Sequence, residues 1–314
     1  MSSRNLPSHK SKSDHGDEGN SLLAGTNSDY ITFTSSPDTT SKNPSKATTR
    51  MQKARSYLTA DIDTRWTDLV LVVCFGESGL IDSGAYNAYN CFTSMMTGNT
   101  IFAALGVSDL PLSSPHSAWT KSLASILAFL LGAILTCTFH RSCGPKKRWV
   151  LATSFLFQAV LIAVSACLVS GGATSDSPAK KPSPSSMYGL PADPGFPWLD
   201  LLPISLLSFQ AAGKLVASRM VEMNALPTVV LTTLYHDLIT DPALLSAGLL
   251  GNVGRNRRLG ALVWYFGGAV AGGAFARSSL GFGGLLWTAA GVKLGMVCAW
   301  LLWREDCEKG DEED

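Results

Sequence analysis

Six stretches of the chain are apolar over about twenty residues, the length that a helix needs to cross a bilayer core about 30 Å thick. Charged residues gather instead near the two ends of the chain and between these stretches. Four stretches begin at a tryptophan and the last ends at one, which is typical of the level where a span meets the lipid headgroups. The pattern predicts membrane-spanning helices at Trp66–Ala88, Trp119–Phe139, Trp149–Val169, Trp198–Ser218, Leu259–Arg277 and Gly283–Trp303.

Two further segments are apolar but interrupted by polar residues. Broken backbone at membrane depth needs protein or a water-filled cavity around it. We therefore expect each segment to enter the bilayer only part of the way. The segments are Phe92–Val107, which contains Thr97, Gly98 and Asn99, and Leu226–Leu245, which contains Thr232.

The basic residues favour six crossings over eight. With six, most Lys and Arg residues lie on the side of the two chain ends, which is the cytoplasmic side by the positive-inside rule. With eight, the basic cluster Arg141–Arg148 moves to the other side. We therefore predict an all-α membrane bundle of six spans and two half-inserted segments with both termini in the cytoplasm, and leave plasma membrane or vacuole-type organelle open.

The first 64 residues and one loop are predicted to be disordered. They are rich in Ser, Thr, Lys, Pro and Gly, and bury too little apolar surface to offset their ordering entropy. Within the first tail, Glu18–Leu23 is similar to an acidic dileucine sorting signal. The predicted division is a tail at 1–64, a first membrane half at 65–170, a loop at 171–197, a second half at 198–304 and an acidic tail at 305–314.

Composition argues against several functions. A net charge of +1 with 16% charged and 46% hydrophobic residues suits neither an ordinary soluble domain nor a nucleic-acid-binding protein. The seven cysteines lack metal-ligand spacing and lie mostly in apolar runs, so neither a disulfide framework nor a metal site is expected. Catalytic and cofactor motifs were not found, so we expect neither an enzyme nor a cofactor. The expected partners are the lipid bilayer and an unknown small solute or ion, and a homo-oligomer is left open.

The chain resembles itself at an offset of about 136 residues. This offset aligns Phe129–Ala133 with Tyr265–Ala269, and Phe139–Arg141 with Phe275–Arg277. It also brings the two interrupted segments to matching places. With three crossings each, two such pseudo-symmetric halves lie upside down relative to each other, an arrangement that in transporters points to a binding site at the interrupted helices. Chance similarity between apolar stretches is the alternative interpretation.

Two motifs carry a resemblance to a family. Gly79–Asp82 followed by Met96–Thr100 resembles the amino-terminal signature of the YoaK family, the domain-of-unknown-function 1275 membrane proteins. Phe209–Gly213 followed by Thr232 is similar to the second motif of that family, although it departs from the usual Gly-Leu-Gln-Asn and Thr-Gly. The resemblance covers residues 66–303. It implies a multi-pass membrane protein and assigns no activity.

Four charged residues fall well inside the predicted spans, away from their ends, where each costs about 3 kcal/mol on insertion scales and therefore indicates a paired or functional position. Glu77 and Asp82 are five residues apart and about 140° around the helix from each other, so they cannot both face one narrow seam. Lys214 lies in the fourth span and Lys293 in the sixth. We expect Glu77 to pair with Lys214 and Asp82 with Lys293, either as structural ion pairs or for proton or ion coupling.

The predicted function is a small-solute or ion transporter, and coupling to protons through a buried carboxylate is left open. Its polar site is expected between the Thr97 and Thr232 segments with Asp82 central, although Asp82 could instead cap the broken helix or bond to Asn87, Thr97 or Asn99. The alternative is a non-transporting membrane scaffold or lipid-organising protein. The candidate substrate-binding or ion-binding residues are Glu77, Asp82, Thr97, Gly98, Asn99, Gln210, Lys214, Thr232 and Lys293.

Two Gly-x-x-x-Gly pairs predict close packing between helices, because residues without a side chain let two helix backbones approach each other. They are Gly268 with Gly272, and Gly291 with Gly295.

Overall fold

The computed structural model describes residues 46–63, 67–108, 117–174, 198–221, 231–244, 246, 248 and 251–304. The dileucine-like segment, the acidic tail and most of the Pro-rich loop lie outside these residues. Within them the chain forms nine α-helices and no strand beyond one isolated bridge between Asp61 and Lys147. The helices are α1 Lys46–Thr59, α2 Thr67–Tyr89, α3 Met96–Val107, α4 Ser117–Cys143, α5 Arg148–Ser170, α6 Leu201–Met220, α7 Leu231–Ile239, α8 Val253–Arg277 and α9 Gly281–Leu301, and a 3₁₀ turn at Trp198–Asp200 precedes α6.

Six of these helices are long and apolar enough to cross a membrane, namely α2, α4, α5, α6, α8 and α9. They coincide with the six predicted spans to within a few residues, which confirms the all-α membrane bundle. The two interrupted segments form the shorter helices α3, with 12 residues, and α7, with 9 residues. At 1.5 Å per residue these reach about 18 and 14 Å, too short to cross a bilayer core.

The helices divide into a central set and a peripheral pair. In their most apolar windows, 67% of the residues of α2 and α6 are buried but only 17% of those of α4 and α8. The peripheral helix α8 packs along α2, the other, α4, packs along α6, and α5 packs along α9. Large apolar side chains such as Leu127, Ile134, Val263 and Phe266 are exposed on the peripheral pair. This surface is the one that contacts the lipid tails.

Glycines set how closely α8 approaches α2. A Cβ atom at Gly268 would collide with the backbone oxygen of Gly76, and one at Gly272 would lie 2.8 Å from the backbone oxygen of Leu80. The close packing predicted for Gly268 and Gly272 is therefore found. Only a residue without a side chain fits at this crossing.

The other glycine pair behaves differently. A Cβ atom at Gly291 or Gly295 would have no neighbour within 4 Å among the described residues. The predicted close packing is wrong for these two within the chain, because that face of α9 points away from the bundle. A glycine on α4 makes a close approach that was not predicted from the sequence. A Cβ at Gly132 would lie 2.6 Å from the backbone oxygen of Phe209 on α6.

Local sequence explains several helix ends. Gly144 has a φ of +96°, which lets the chain reverse between α4 and α5 at no steric cost. Gly281, with a φ of +54°, does the same between α8 and α9. Asn252 caps the start of α8, since its side-chain oxygen accepts the backbone N–H of Arg255 at 2.9 Å.

One end of the bundle is tied together by Arg148. Its guanidinium is buried, donates to the backbone oxygen of Tyr57 and donates to that of Trp303 at 2.8 Å. It also lies over the Tyr57 ring, 3.7 Å from the ring centre. The N–H of Ile62 donates to the backbone oxygen of Lys146 at 3.2 Å. We call this end the Arg148 end.

These contacts decide between the two crossing numbers. They place the segment before α2, the turn between α4 and α5, and the end of α9 on one side. Six crossings require that arrangement, whereas eight would put the α4–α5 turn on the opposite side.

They also correct the expectation of disorder up to residue 64. Lys46–Thr59 is helical and Ile62 is fully buried. This part of the segment is ordered because Arg148 and the chain after α9 supply hydrogen-bond partners for its backbone.

Candidate functional site

Three charged side chains meet midway along the central helices. Glu77 comes from α2, Lys214 from α6 and Lys293 from α9. The Glu77 Oε2 atom lies 2.6 Å from the Lys293 Nζ atom and 3.7 Å from the Lys214 Nζ atom. The side chains of all three are at most 1% exposed. The predicted pairing of Glu77 with Lys214 is therefore found, with Lys293 as a closer second partner.

Neutral polar groups complete this arrangement. Lys214 Nζ donates to the Ser78 hydroxyl at 2.9 Å, and Lys293 Nζ donates to Gln158 Oε1 at 3.2 Å. Gln158 lies on α5, so each of the four central helices contributes a polar residue at the same depth. We call Glu77, Ser78, Gln158, Lys214 and Lys293 the mid-depth cluster. Gln158 was missed from the sequence, although an amide in the middle of so apolar a span is a recognisable signal.

The mid-depth cluster carries more positive than negative groups. Among the described residues, neither oxygen of Glu77 has a hydrogen bond of good geometry, so the two ammonium groups compensate its charge by Coulombic attraction. With both lysines protonated, one carboxylate against two ammonium groups leaves a formal surplus of one positive charge. A buried charge costs several kcal/mol of desolvation unless a partner offsets it.

Asp82 belongs to a separate polar contact. Its Oδ1 atom accepts the N–H and the hydroxyl of Thr93 and the N–H of Ser94, each at 2.9 Å. The Ser94 hydroxyl donates to its Oδ2 atom. The predicted pairing with Lys293 is wrong, because five residues of helix move Asp82 about 7.5 Å along α2 and about 140° around it from Glu77. Asp82 instead caps the loop before α3, through residues other than the three considered from the sequence.

A cavity of about 560 Å³ lies beside Asp82, between the last turns of α2 and α8. Two aromatic hydroxyls, an amide and a guanidinium line it together with the carboxyl group. None of the three charged members of the mid-depth cluster is among the described residues that line this cavity. The polar lining residues are Asp82, Ser83, Tyr86, Asn87, Tyr265 and Arg277.

The Thr97 segment is anchored through Asn99 alone among its candidate residues. Asn99 is buried, donates to the backbone oxygen of Phe92 at 2.7 Å and to the Ser125 hydroxyl at 2.8 Å, and accepts the Phe92 N–H at 3.0 Å. Gly98 lies so close to the Phe92 ring that a Cβ would be 3.0 Å from it. Asn99 therefore holds the loop before α3 against α4.

The predicted site between Thr97 and Thr232 is not formed as a buried site. Both threonines are exposed, because α3 packs against α4 while α7 packs against α8. Gln210 is buried on α6, and neither its amide nitrogen nor its amide oxygen has a hydrogen-bond partner among the described residues. Within the same residues no group of His, Cys, Asp and Glu could hold a metal ion.

Two further ion pairs lie at opposite ends of the bundle. At the Arg148 end, Arg257 Nε on α8 lies 2.7 Å from Asp68 Oδ2 on α2. At the other end, Lys121 Nζ on α4 lies 3.0 Å from Asp200 Oδ2, just before α6. Neither pair was predicted from the sequence, but the offset of about 136 residues aligns Lys121 with Arg257.

The helices and their buried charges define a multi-pass α-helical membrane protein of six spans. More particularly, residues 70–299 match the model of the family described as "Protein of unknown function (DUF1275)", and the chain belongs to that family. No significant match was found among curated proteins or solved structures.

Proposed function

We propose that this protein moves a small solute or ion across the bilayer through the mid-depth cluster. The observation that carries the proposal is Glu77 buried between Lys214 and Lys293 in the middle of three apolar spans. Ionised residues at this depth are expensive and typically mark substrate or ion pathways. A surplus of charge adds to this cost, so a purely structural role explains it poorly.

The cavity supports a route to the cluster. It lies between the halves of α2 and α8 that are further from the Arg148 end, and Asp82 lines it. Glu77 lies about 7.5 Å further along the same helix. In this proposal Asp82 holds the loop at the floor of the cavity, and a movement of α8 relative to α2 joins the cavity to the cluster.

The packing of the helices supports two inverted halves. The pair α8 and α2 corresponds to the pair α4 and α6 under the sequence offset. Gly268 makes the close crossing between α8 and α2, and its counterpart Gly132 makes the close crossing between α4 and α6. The ion pairs Arg257–Asp68 and Lys121–Asp200 hold the two helix pairs at opposite ends. Inverted halves around a central site are the architecture of alternating-access transporters.

The direct test is flux into liposomes containing the purified protein, screened against a panel of ions and small solutes. We expect flux of at least one compound, and loss of that flux in Glu77→Gln. Asp241→Asn, in the loop between α7 and α8, serves as the control and should transport normally. A folded wild-type protein that transports nothing across a broad panel would count against the proposal.

A second variant tests the role of Asp82. Asparagine keeps one oxygen for the N–H groups of Thr93 and Ser94 but cannot carry charge. We expect Asp82→Asn to abolish any pH-dependent uptake. If this variant transports as the wild type does, Asp82 has no part in the transport cycle.

A membrane scaffold is the second candidate function. It is favoured by one observation, that the described lining of the cavity contains none of the charged residues of the mid-depth cluster. In that case the charged side chains of the cluster only specify helix packing. The triple variant Glu77→Leu, Lys214→Met and Lys293→Met separates the two functions. If the protein is a scaffold, the folded variant keeps its cellular role. If the protein is a transporter, the folded variant loses that role.

A further inference from the structure

The strongest unexplained feature of the mid-depth cluster is its second ammonium group. Lys293 is the nearer partner of Glu77, at 2.6 Å, and also has Gln158 and the face of the Phe155 ring beside it. Lys214 is 3.7 Å from the same carboxylate and donates to one neutral hydroxyl, that of Ser78. Lys214 is therefore the group whose charge is least compensated.

A buried amide without a hydrogen-bond partner in the described part of the chain lies on the same face of α6 as Lys214. Gln210 precedes it by four residues on α6, so the two side chains share one face of the helix. Gln210 is 1% exposed, and its amide nitrogen and oxygen have no hydrogen-bond partner among the described residues. Native proteins rarely bury an amide without partners, and such a group calls for a bound water, ligand or ion to explain it. An ammonium and an amide N–H together are the donors that an anion requires.

From these observations we propose that the mid-depth cluster binds a small monovalent anion beside Lys214 and Gln210. The inference rests on the proposed transport function and names the class of its substrate. A cation would be repelled by two ammonium groups, and a neutral solute would leave the surplus charge uncompensated. The anion is small, because even a Cβ atom at Gly213 would lie 2.8 Å from the Gln158 amide nitrogen. Chloride, nitrate and formate have suitable charge and size.

The test is the thermal unfolding midpoint of the purified, detergent-solubilised protein at fixed pH and ionic strength. Sodium chloride, nitrate or formate replaces sodium gluconate, whose anion is too large for the site. We expect the midpoint of the wild type to rise and saturate with at least one small anion, as ligand linkage requires. Arg141→Gln, which removes an exposed cation at the end of α4, should keep the same dependence.

Three variants assign the effect to the cluster. Lys214→Met should abolish the anion dependence. Glu77→Gln frees a second ammonium and should increase the apparent affinity about tenfold. Gln210→Leu should fold as well as the wild type, because it removes groups that have no partner in the chain, while weakening anion binding about tenfold.

The outcomes separate this inference from the transport proposal. A wild type with no dependence on small anions overturns the inference, and so does a dependence that survives in both Lys214→Met and Gln210→Leu. If Lys214→Met does not fold, Gln210→Leu alone decides. Anion stabilisation without flux in liposomes supports the binding site and contradicts transport. Flux of a cation or neutral solute without anion stabilisation supports transport and contradicts the anion site.

Discussion

The carboxylate of Glu77 lies 2.6 Å from the ammonium nitrogen of Lys293, and both side chains are fully buried. This contact joins α2 to α9 midway along their length. Lys214 adds a longer contact from α6, at 3.7 Å. The three helices are therefore held at one depth by a charge cluster in which the two lysines are not equivalent.

This difference predicts unequal losses of stability. Lys293→Met removes the close partner of Glu77 and should cost about 3–5 kcal/mol of unfolding free energy, the range for a buried pair that loses one member. Lys214→Met should cost less, because it leaves the closer pair intact and removes the surplus charge. Unfolding in mixed micelles of increasing denaturing detergent measures both. Equal losses for the two variants would contradict the assignment of Lys293 as the main partner.

The crossing of α2 and α8 predicts a contrast between two adjacent glycines. Gly268→Ala should destabilise the fold by about 1–3 kcal/mol, because the new Cβ would meet the backbone oxygen of Gly76 and the helices would have to separate. Gly267→Ala is the matched control, since a Cβ there has no neighbour within 4 Å among the described residues. It should be neutral or slightly stabilising. The unfolding midpoints of the two variants test the contrast, and similar losses in both would argue against a close crossing at Gly268.

The two end pairs should differ in strength. In the Lys121–Asp200 pair the side chains are 7% and 0% exposed, whereas in the other pair the Arg257 side chain is 31% exposed. Breaking a buried pair costs about 3–5 kcal/mol, while exposed pairs contribute on the order of 1 kcal/mol or less. We therefore expect Lys121→Met to lower the unfolding free energy more than Arg257→Met. The reverse order would show that exposure does not set the strength of these pairs.

Acid should weaken the loop between α7 and α8 through Asp241. The Ala243 N–H and the Asn252 amide, with the guanidinium of Arg258, hold the pKa of this carboxyl below its ordinary value. Its contribution to stability is therefore present above the unfolded-state pKa of about 3.9 and is lost as the pH falls through the lower folded-state value.

The comparison with Asp241→Asn isolates this contribution. The difference in unfolding free energy between wild type and variant should shrink as the pH falls from about 6 to about 3. A difference that stays constant over this interval would mean that the ionised form of Asp241 is not what stabilises the loop.

Arg148 should control the order of the segment before α2. Its guanidinium joins the backbone oxygens of Tyr57 and Trp303, and the planar group stacks on the Tyr57 ring. In Arg148→Ala we expect trypsin to cut at Lys53 and Arg55 several times faster than in the wild type. Arg148→Lys should rescue only in part, because an ammonium cannot make the same planar, forked contacts. Unchanged cleavage in Arg148→Ala would show that other contacts hold this segment.

Part of the candidate site could be predicted from sequence. Glu77, Lys214 and Lys293 stand out because charge is rare in apolar spans, and the internal offset suggested that Glu77 and Lys214 are neighbours. The pairing of Asp82 with Lys293 was wrong because the partners of Asp82, Thr93 and Ser94, are ordinary loop residues that become near neighbours only when the chain turns back after α2.

The number, length and place of the spans follow from the sequence alone. A bilayer imposes a fixed thickness and offers no hydrogen bonds, so about twenty apolar residues specify a crossing without reference to the rest of the chain. The neighbours of each buried polar group were decided only by the tertiary structure. They depend on how far each helix is shifted and rotated against the next, and that is set by close contacts such as Gly268 on Gly76 and by the ties at Arg148.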